Sequence, residues 1–258
     1  MNESVHKAAD VLAALAESRG NLSARELSDS IQLPRSTVQR LLQALEDTGL
    51  VRQESATRKY GLGPRTLELG MAYLARVDVR SEALPHMTGL RDELGETIEL
   101  AMRVGSSRVY IAQLEARAEL KAKADPGRLY PLWAGAAGRV LLASMPRTEI
   151  TRLAHEAGEV AFGHVTPPTL AGLLGKLDEE RRLGYAMAFE ETISGVHTVA
   201  VPVRVPPADV VVLSASGPAT RFGKDLMADA VGPLQRAATA ISMSMGMTFV
   251  AAPTEPAS

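Results

Sequence analysis

The residues best suited to contact another molecule lie along one side of a short helix that the sequence predicts near its N-terminus. After Pro34, apolar residues recur at Val38, Leu41, Leu42 and Leu45, a spacing typical of a helix with one buried stripe. The opposite side carries types that hydrogen-bond to base edges or phosphates, since Arg pairs with guanine and Gln with adenine. These side chains are Arg35, Ser36, Thr37, Gln39, Arg40 and Gln43. For one such helix seen alone, a polar face that meets only solvent is the alternative.

Two further helices precede this one. Apolar residues recur with helical spacing from Val5 to Ala16. Ser23 and Glu26 have the spacing of a capping box, in which each side chain accepts a hydrogen bond from the other residue's backbone at the start of a second helix. Pro34 suits the first position of the third helix, where no backbone donor is needed. Three helices in this order predict a helix-turn-helix.

A predicted hairpin after the third helix adds positive charge. Short strand patterns flank the polar turn of residues 54–58, and Arg58 and Lys59 lie near its tip. Residues 35–65 include six basic and three acidic side chains, although the whole chain has a net charge of −2. Phosphate contacts supply salt-dependent affinity and set the register on DNA. We therefore predict a winged helix-turn-helix in which Ser23, Arg58 and Lys59 join the third helix at the DNA.

Composition places the chain among ordinary globular proteins and excludes several kinds of site. Its 258 residues, 46% of them hydrophobic, suffice for two domains. Cysteine is absent, which excludes disulfides, thiolate metal sites and a cysteine nucleophile. The N-terminus lacks the pattern of a signal peptide, and the longest uncharged stretch, residues 237–254, is too polar to span a membrane and reads as a closing helix or strand followed by a tail. We expect a cytoplasmic protein without a membrane partner.

The second half of the chain changes to strand patterns. Ile98, Leu100, Met102 and Val104 alternate with other residues, which predicts a strand with one buried face. Similar patterns predict an antiparallel meander, followed by a hairpin whose loop contains Pro206 and Pro207. Strand patterns cover residues 96–104, 108–114, 119–124, 198–203 and 210–216, and helical patterns cover residues 64–77, 80–94, 136–144, 147–155 and 169–183. The mixture predicts an α+β domain with a curved antiparallel sheet.

A run of small residues from Pro131 to Gly138 predicts a pocket in this domain. Small residues let a ligand approach the free amides at a helix start, where the helix dipole favours an anion. Residues 190–198 and 214–218 complete the candidate pocket. Close packing of the helix on the sheet explains the small residues equally well.

The span from Val5 to Phe222 resembles the IclR family of bacterial transcriptional regulators. The resemblance implies a winged helix-turn-helix (residues 1–63), a linker helix (64–78), an effector-binding domain similar to GAF and profilin-like sensors (79–250) and a flexible tail (251–258). The motifs that carry it are residues 33–42, 60–63, 131–139 and 182–186, Glu190-Glu191 with Gly195, and residues 200–203 and 213–218.

The family resemblance also implies a function. Such proteins are homodimers or tetramers that bind a palindromic operator and sense a small organic acid. We expect a ligand-responsive activator or repressor of a catabolic operon, with DNA-reading heads that move relative to each other when the effector binds.

The ligand-facing positions are carried over from the family one by one. Trp133 stands where many relatives have His, Ala188 where an acidic residue is common, and Thr198 where Cys is frequent, so we expect a less polar pocket that accepts an aromatic or bulky apolar acid. The two serines of the set are expected to hydrogen-bond its carboxylate. The positions are Tyr130, Ala136, Ala137, Ala188, Val196, Thr198, Ser214 and Ser216, with Trp133 beside them.

Two other functions compete with this interpretation. An enzyme would use groups such as Glu190, Glu191 or His197 for acid-base chemistry. The sequence lacks the usual nucleophile, phosphate-binding and dinucleotide motifs, and adjacent carboxylates in a strand would point to opposite faces. The five histidines have no metal-ligand spacing, so we expect neither a metal nor a cofactor. An architectural DNA-binding protein whose second domain only oligomerises is the other alternative.

Overall fold

The computed structural model describes residues 3–18, 20–74, 79–125, 127–157, 162, 166–205 and 209–246. The chain divides into two compact units, residues 1–77 and 78–258. The end of the predicted linker helix (75–78), the Pro206–Pro207 loop and the tail (251–258) lie outside the described residues.

The first unit is a helix-turn-helix with a two-stranded wing. Val11, Leu27, Val38 and Leu42 are fully buried at its centre and bring the three helices together. The two strands pair antiparallel, with Arg52 opposite Gly61. The elements are α1 (Glu3–Glu17), α2 (Ala24–Ser30), α3 (Arg35–Asp47), β1 (Val51–Gln53), β2 (Tyr60–Leu62) and α4 (Pro64–Leu74).

The start of α3 differs by one residue from the prediction. Pro34 lies at the N-cap and not at the first helical position, and its carbonyl accepts hydrogen bonds from the N–H groups of Thr37 (2.9 Å) and Val38 (3.0 Å). After the helix, Gly49 adopts a φ of +75°, a conformation that ends helices and favours glycine. The predicted buried stripe of α3 is confirmed.

The second unit is built on a six-stranded antiparallel sheet in the order β5-β4-β3-β8-β7-β6. Ala200 and Val212 pack into a core with α6 and α8, so Val201 and Leu213, the next residues along their strands, point to the opposite face. Helices α5 and α9 contact the sheet there. The elements are α5 (Val79–Leu94), β3 (Thr97–Val104), β4 (Ser107–Leu114), β5 (Tyr130–Pro131), α6 (Gly135–Ala143), α7 (Arg147–Ala157), α8 (Leu170–Leu183), β6 (Ala186–Phe189), β7 (Val196–Val205), β8 (Asp209–Pro218) and α9 (Lys224–Ser244). The predicted fold class is confirmed.

The predicted strand at residues 119–124 is wrong. Side chains of the sheet hold this irregular segment: Thr97 Oγ1 donates to the Ala122 carbonyl (2.8 Å), and the Ala124 N–H donates to Gln113 Oε1 (2.9 Å). Ala122 and Ala124 are buried. The alternating pattern therefore reflects burial of every second residue without the backbone hydrogen bonds of a strand. The strand that pairs with the outer edge of β4 is β5.

Two other strand predictions also need correction. The sequence did not predict β6, which follows Gly184, a helix-ending glycine with a φ of +75°. Strand β3 was expected to have one buried face, but residues 97–101 are all buried because helices cover both faces of the sheet. Residues 237–244 of the predicted closing segment belong to helix α9, whereas residues 247–254 lie outside the described residues. No helix in the described ranges is long and apolar enough to cross a membrane.

Candidate DNA-binding surface and ligand site

The polar face of α3 is largely open to solvent. Arg35, Ser36 and Arg40 are exposed and make no side-chain hydrogen bond or ion pair within the described ranges. Thr37 is half-buried. Gln39 Nε2 donates to Tyr60 Oη on the wing (3.0 Å). This face therefore keeps two guanidinium groups and a hydroxyl free to bind a partner.

The Gln43 side chain is exposed but already has a partner one turn along the helix. Its Nε2 donates to Asp47 Oδ1 at 3.0 Å. The two free arginines therefore lie nearer the N-terminal end of α3 than this glutamine, and a recognition helix places that end at the base edges.

Ser23, one of the predicted DNA contacts, is the N-cap of α2. Ser23 Oγ accepts from the Glu26 N–H (3.2 Å), and Glu26 Oε2 accepts from the Ser23 N–H (2.6 Å), so the predicted capping box is confirmed. Lys59 Nζ lies 3.3 Å from Glu26 Oε1. These hydrogen bonds, those with Ser23 foremost, lower the pKa of Glu26 to about 2. Ser23 and Lys59 thus help to hold α2 and the wing together.

Arg58 lies in the turn of the wing. It is exposed, has a φ of +57° and makes no ion pair with any residue the structure describes. Its carbonyl accepts from Gln53 Nε2 (2.9 Å), which fixes the backbone of the turn. The turn thus presents a free positive charge.

The two serines of the predicted ligand site are bonded to a buried glutamate. Ser216 Oγ donates to Glu99 Oε2 at 2.7 Å and Ser214 Oγ at 3.3 Å, while Thr198 Oγ1 lies 2.9 Å from Ser216 Oγ. Glu99, Ser214 and Ser216 are all at most 4% exposed. Burial raises the pKa of Glu99, and the serine hydrogen bonds oppose that rise. Glu99 was not among the predicted site residues, because the alternating pattern of β3 indicated that it lies on an exposed face.

A buried arginine, also missed, lies on the same face of the sheet. Arg108 is 1% exposed, and its Nη1 donates to the carbonyls of Pro131 and Ala134, both at 2.7 Å. Its guanidinium carbon lies 5.2 Å from the ring centre of Tyr130 and 5.8 Å from that of Tyr110. Arg108 Nε has no hydrogen-bond partner. The burial of Arg108 could not be predicted from its residue type, because most arginines are exposed.

The start of α6 already holds a carboxylate of the chain. Glu191 Oε2 accepts from the Gly135 N–H (3.1 Å) and from Arg139, and Lys176 Nζ lies 3.2 Å from its other oxygen. Arg139 is 2% exposed and also pairs with Glu180 (2.7 Å). Glu191 lies in a bend and not in a strand, contrary to the sequence-based assumption. The predicted anion position is therefore filled by the protein itself.

The remaining predicted ligand contacts fall in three places. Ala136, Ala137 and Ala188 are buried in the core that joins α6 to the sheet, as the packing interpretation expects. Val196 is half-buried at one end of the sheet, opposite Pro218. Trp133 lines a separate, mainly apolar cavity of about 440 Å³ together with Leu132, Leu142, Ile150, His155 and Leu173. The structure thus brings together Tyr130, Thr198, Ser214 and Ser216 on one face but not Trp133.

Comparison with known proteins settles the family. The family model described as the IclR helix-turn-helix domain matches residues 4–55, and the one described as the C-terminal domain of bacterial IclR regulators matches residues 71–243. This chain belongs to the IclR family. It is therefore a DNA-binding transcriptional regulator and not an enzyme, as the sequence analysis expected.

Individual IclR relatives agree over nearly the whole chain. The transcriptional repressor AllR of Klebsiella pneumoniae is 33% identical over 92% of this chain and 88% of its own. The structure of an IclR regulator from Brucella abortus superposes with a TM-score of 0.81 at 26% identity, covering 95% and 92% of the two chains. An IclR homologue from Microbacterium hydrocarbonoxydans, complexed with 4-hydroxybenzoate, has the same fold (TM-score 0.73, 23% identity, 94% and 98% covered).

Proposed function

We propose that this protein is a ligand-responsive repressor of a catabolic operon and that its effector is a small aromatic acid. The observation that carries the proposal is the pairing of two features in one chain. One unit presents a helix with free arginines on its polar face, and the other encloses polar and aromatic side chains between a sheet and a helix.

The DNA contacts divide into base readers and phosphate contacts. Arg35 and Arg40 have free guanidinium groups on the first turns of α3, where a recognition helix meets base edges. Ser36, Thr37, Gln39 and Gln43 flank them on the same helix. We propose that the wing residues Arg58 and Lys59, and Ser23 at the α2 start, contact phosphates. Base readers give specificity, and phosphate contacts give salt-dependent affinity.

A homodimer or tetramer on a palindromic operator fits the surface of α4. Leu67 and Met71, one turn apart on the same face of this helix, are 69% and 58% exposed in the single chain. Exposed clusters of large apolar side chains mark interaction sites. A second copy would cover them and place two α3 helices on half-sites one helical turn or more apart.

The effector site is assigned to the face of the sheet that α6 covers. Tyr110 and Tyr130 meet edge to face at 5.4 Å, and such rings favour a flat ligand. The complex of the Microbacterium homologue with 4-hydroxybenzoate means that this fold can hold a small aromatic acid. Thr198, Ser214 and Ser216 line the polar side, while Ala136, Ala137, Ala188 and Val196 close it. The predicted role of Trp133 is less well supported, because Trp133 faces another cavity.

Thermal melting against a panel of benzoates, hydroxybenzoates and aliphatic keto acids tests the ligand. A ligand that binds only the folded protein raises the melting temperature in a concentration-dependent manner. The active acid should also change the affinity of the protein for its operator, measured by fluorescence anisotropy. If every acid leaves both melting and DNA affinity unchanged, an architectural role replaces the sensor role.

A further inference from the structure

We propose that Arg108 and Glu99 are the two ends of the effector site, so that the effector carries a carboxylate that pairs with Arg108 and a hydroxyl or amino group that donates to Glu99. This inference rests on the proposed function and names the ligand class more narrowly. It predicts a hydroxylated or aminated aromatic acid in preference to an unsubstituted one.

Arg108 is a buried positive charge that makes no direct ion pair with any described carboxylate, although its charge lowers the pKa of Glu99. Although it is 1% exposed, no carboxylate of the described residues lies within ion-pair distance of it, and its Nε has no partner. Arg139 is equally buried, at 2%, but pairs with both Glu180 and Glu191. A buried charge is costly unless it is paired. A ligand carboxylate would supply at Arg108 the partner that the protein supplies at Arg139.

The position of Arg108 suits an anion. Its Nη1 bonds to the carbonyl of Ala134, the N-cap of α6, and a Cβ added to Gly138 would lie 2.7 Å from the same nitrogen. The guanidinium therefore lies against the first turn of α6, where the Gly135 N–H already donates to Glu191. Glu191 at this turn does not compete for Arg108, because Arg139 and Lys176 balance its charge.

The aromatic rings around Arg108 form walls for a flat ligand. Tyr130 lies edge to face with Tyr110 at 5.4 Å and contacts Phe162 at 5.5 Å. The Tyr130 hydroxyl accepts from the Asp125 N–H (3.2 Å), which fixes the ring. A benzene ring beside these walls would stack or pack edge on.

Strand register places Glu99 at the far end of the same face. Every second residue of β3 points to the same face of the sheet, so Glu99, Ala101 and Arg103 share a face. On the neighbouring strand β4, Arg108 lies opposite Arg103, and Tyr110 lies opposite Ala101. Glu99 is thus four residues, or about 13 Å, along the strand from the level of Arg108. Tyr110 lies between them. Because the charge of Arg108 lowers the pKa of Glu99, the two charged groups lie closer together than their positions along the strands. We infer that a ring with a substituent at each end bridges them.

Glu99 can accept a hydrogen bond from a ligand but does not favour a ligand carboxylate beside it. Both serine hydroxyls donate to its Oε2, and no described protein group donates to its Oε1. The serines are therefore not free to bind a ligand carboxylate, and a second carboxylate would be repelled or forced to take up a proton here. A hydroxyl or amino group would instead satisfy Oε1, which fixes the orientation of the ligand.

Calorimetric titration of the full-length protein with three probes tests this assignment. The probes are 4-hydroxybenzoate, benzoate and 4-hydroxybenzyl alcohol, which lacks the carboxylate. Wild-type protein should bind 4-hydroxybenzoate most tightly. Arg108→Met should lower the affinity for both acids by at least about 10-fold, which is the contribution of a charge-assisted hydrogen bond. It should leave the affinity for the alcohol unchanged. Glu99→Gln should reduce the affinity of the protein for 4-hydroxybenzoate to its affinity for benzoate.

Controls separate the possible failures. Arg103→Met removes a neighbouring arginine of the same strand pair and should leave all three affinities unchanged. Arg108→Lys keeps the positive charge and should recover part of the affinity for the acids. A misfolded Arg108→Met protein, in contrast, would also lose its affinity for the alcohol. If Arg108→Met binds the acids as wild type does, the inference is wrong while the sensor function stands. If wild type binds none of the probes but still responds to another acid at its operator, the inference fails alone.

Discussion

The polar face of α3 and the polar cluster of the second unit are built from similar side chains, but their partners differ. Arg35, Ser36 and Arg40 have no side-chain partner among the described residues, whereas Ser214 and Ser216 already donate to Glu99. A surface that reads DNA has to keep its donors available, since water satisfies them until DNA arrives. Buried groups have no water and must be satisfied by the protein or by a ligand. A buried group left without its partner is therefore more informative than an exposed one.

The same contrast holds between two arginines inside the second unit. Arg139 pairs with two carboxylates, while Arg108 pairs with two carbonyls and no carboxylate. The first has the partners of a structural ion pair. The second has the environment expected of a ligand-binding charge, and substitutions at the two positions should therefore behave differently.

The largest effect is expected for Arg139→Met. Loss of this guanidinium leaves Glu180 and Glu191 without their buried partner, so we expect the second unit to lose about 3–5 kcal/mol of unfolding free energy. Trp133 is the only tryptophan of the sequence and packs beside the core of α6, so its fluorescence during urea unfolding reports on this unit. Arg108→Met, the matched control, should cost clearly less, since no carboxylate loses a direct ion pair and the groups that lose a donor are the carbonyls of Pro131 and Ala134. Equal losses would mean that Arg108 is also structural.

A smaller effect is expected for Arg40→Ala on DNA binding. If Arg40 reads a base, its loss should cost about 1–3 kcal/mol on the operator and little on random DNA. Fluorescence anisotropy with both duplexes measures the ratio. Arg236→Ala removes the same charge from the exposed surface of α9 and should change neither affinity. A uniform loss for Arg40→Ala on both duplexes would make Arg40 a phosphate contact.

The cap of α2 offers a test of the double role of Ser23. Ser23→Ala should lower the stability of the first unit by about 1 kcal/mol, because the Glu26 N–H loses its acceptor. Ser23→Asp keeps an acceptor but adds negative charge beside the proposed phosphate path. Thermal unfolding by circular dichroism should therefore show a loss for Ala only, whereas anisotropy should show weaker DNA binding for Asp. Unchanged DNA binding by Ser23→Asp would remove Ser23 from the interface.

The smallest effect concerns acid stability of the same unit. The pKa of Glu26 falls from its ordinary 4.5 to about 2 in the folded protein. Its stabilising contribution is therefore complete above pH 4.5 and is lost as the pH falls through about 2. The melting temperature of wild type should exceed that of Glu26→Gln at pH 5, and the two should converge near pH 2. A constant difference over this range would mean that ionisation of Glu26 does not matter.

The sequence predicted the first unit better than the ligand site because their contacts differ in range. The capping box of Ser23 and the stripe of α3 involve residues three or four apart, where spacing alone decides the geometry. Glu99 meets Ser214 and Ser216 from 115 and 117 residues away, and only the sheet order brings them together. Residues 119–124 were predicted wrongly for a related reason. Side chains of the neighbouring strands hold this irregular segment so that Ala122 and Ala124 are buried, and the resulting alternation resembles that of a strand.

Binding of the purified protein to the intergenic DNA upstream of its own gene decides whether α3 reads an operator. Anisotropy at several salt concentrations should give an affinity that falls steadily as salt rises, and that exceeds the affinity for a scrambled duplex at every concentration. An affinity that is absent, or that is equal for the two duplexes, would contradict the assignment of α3 as a sequence-reading helix.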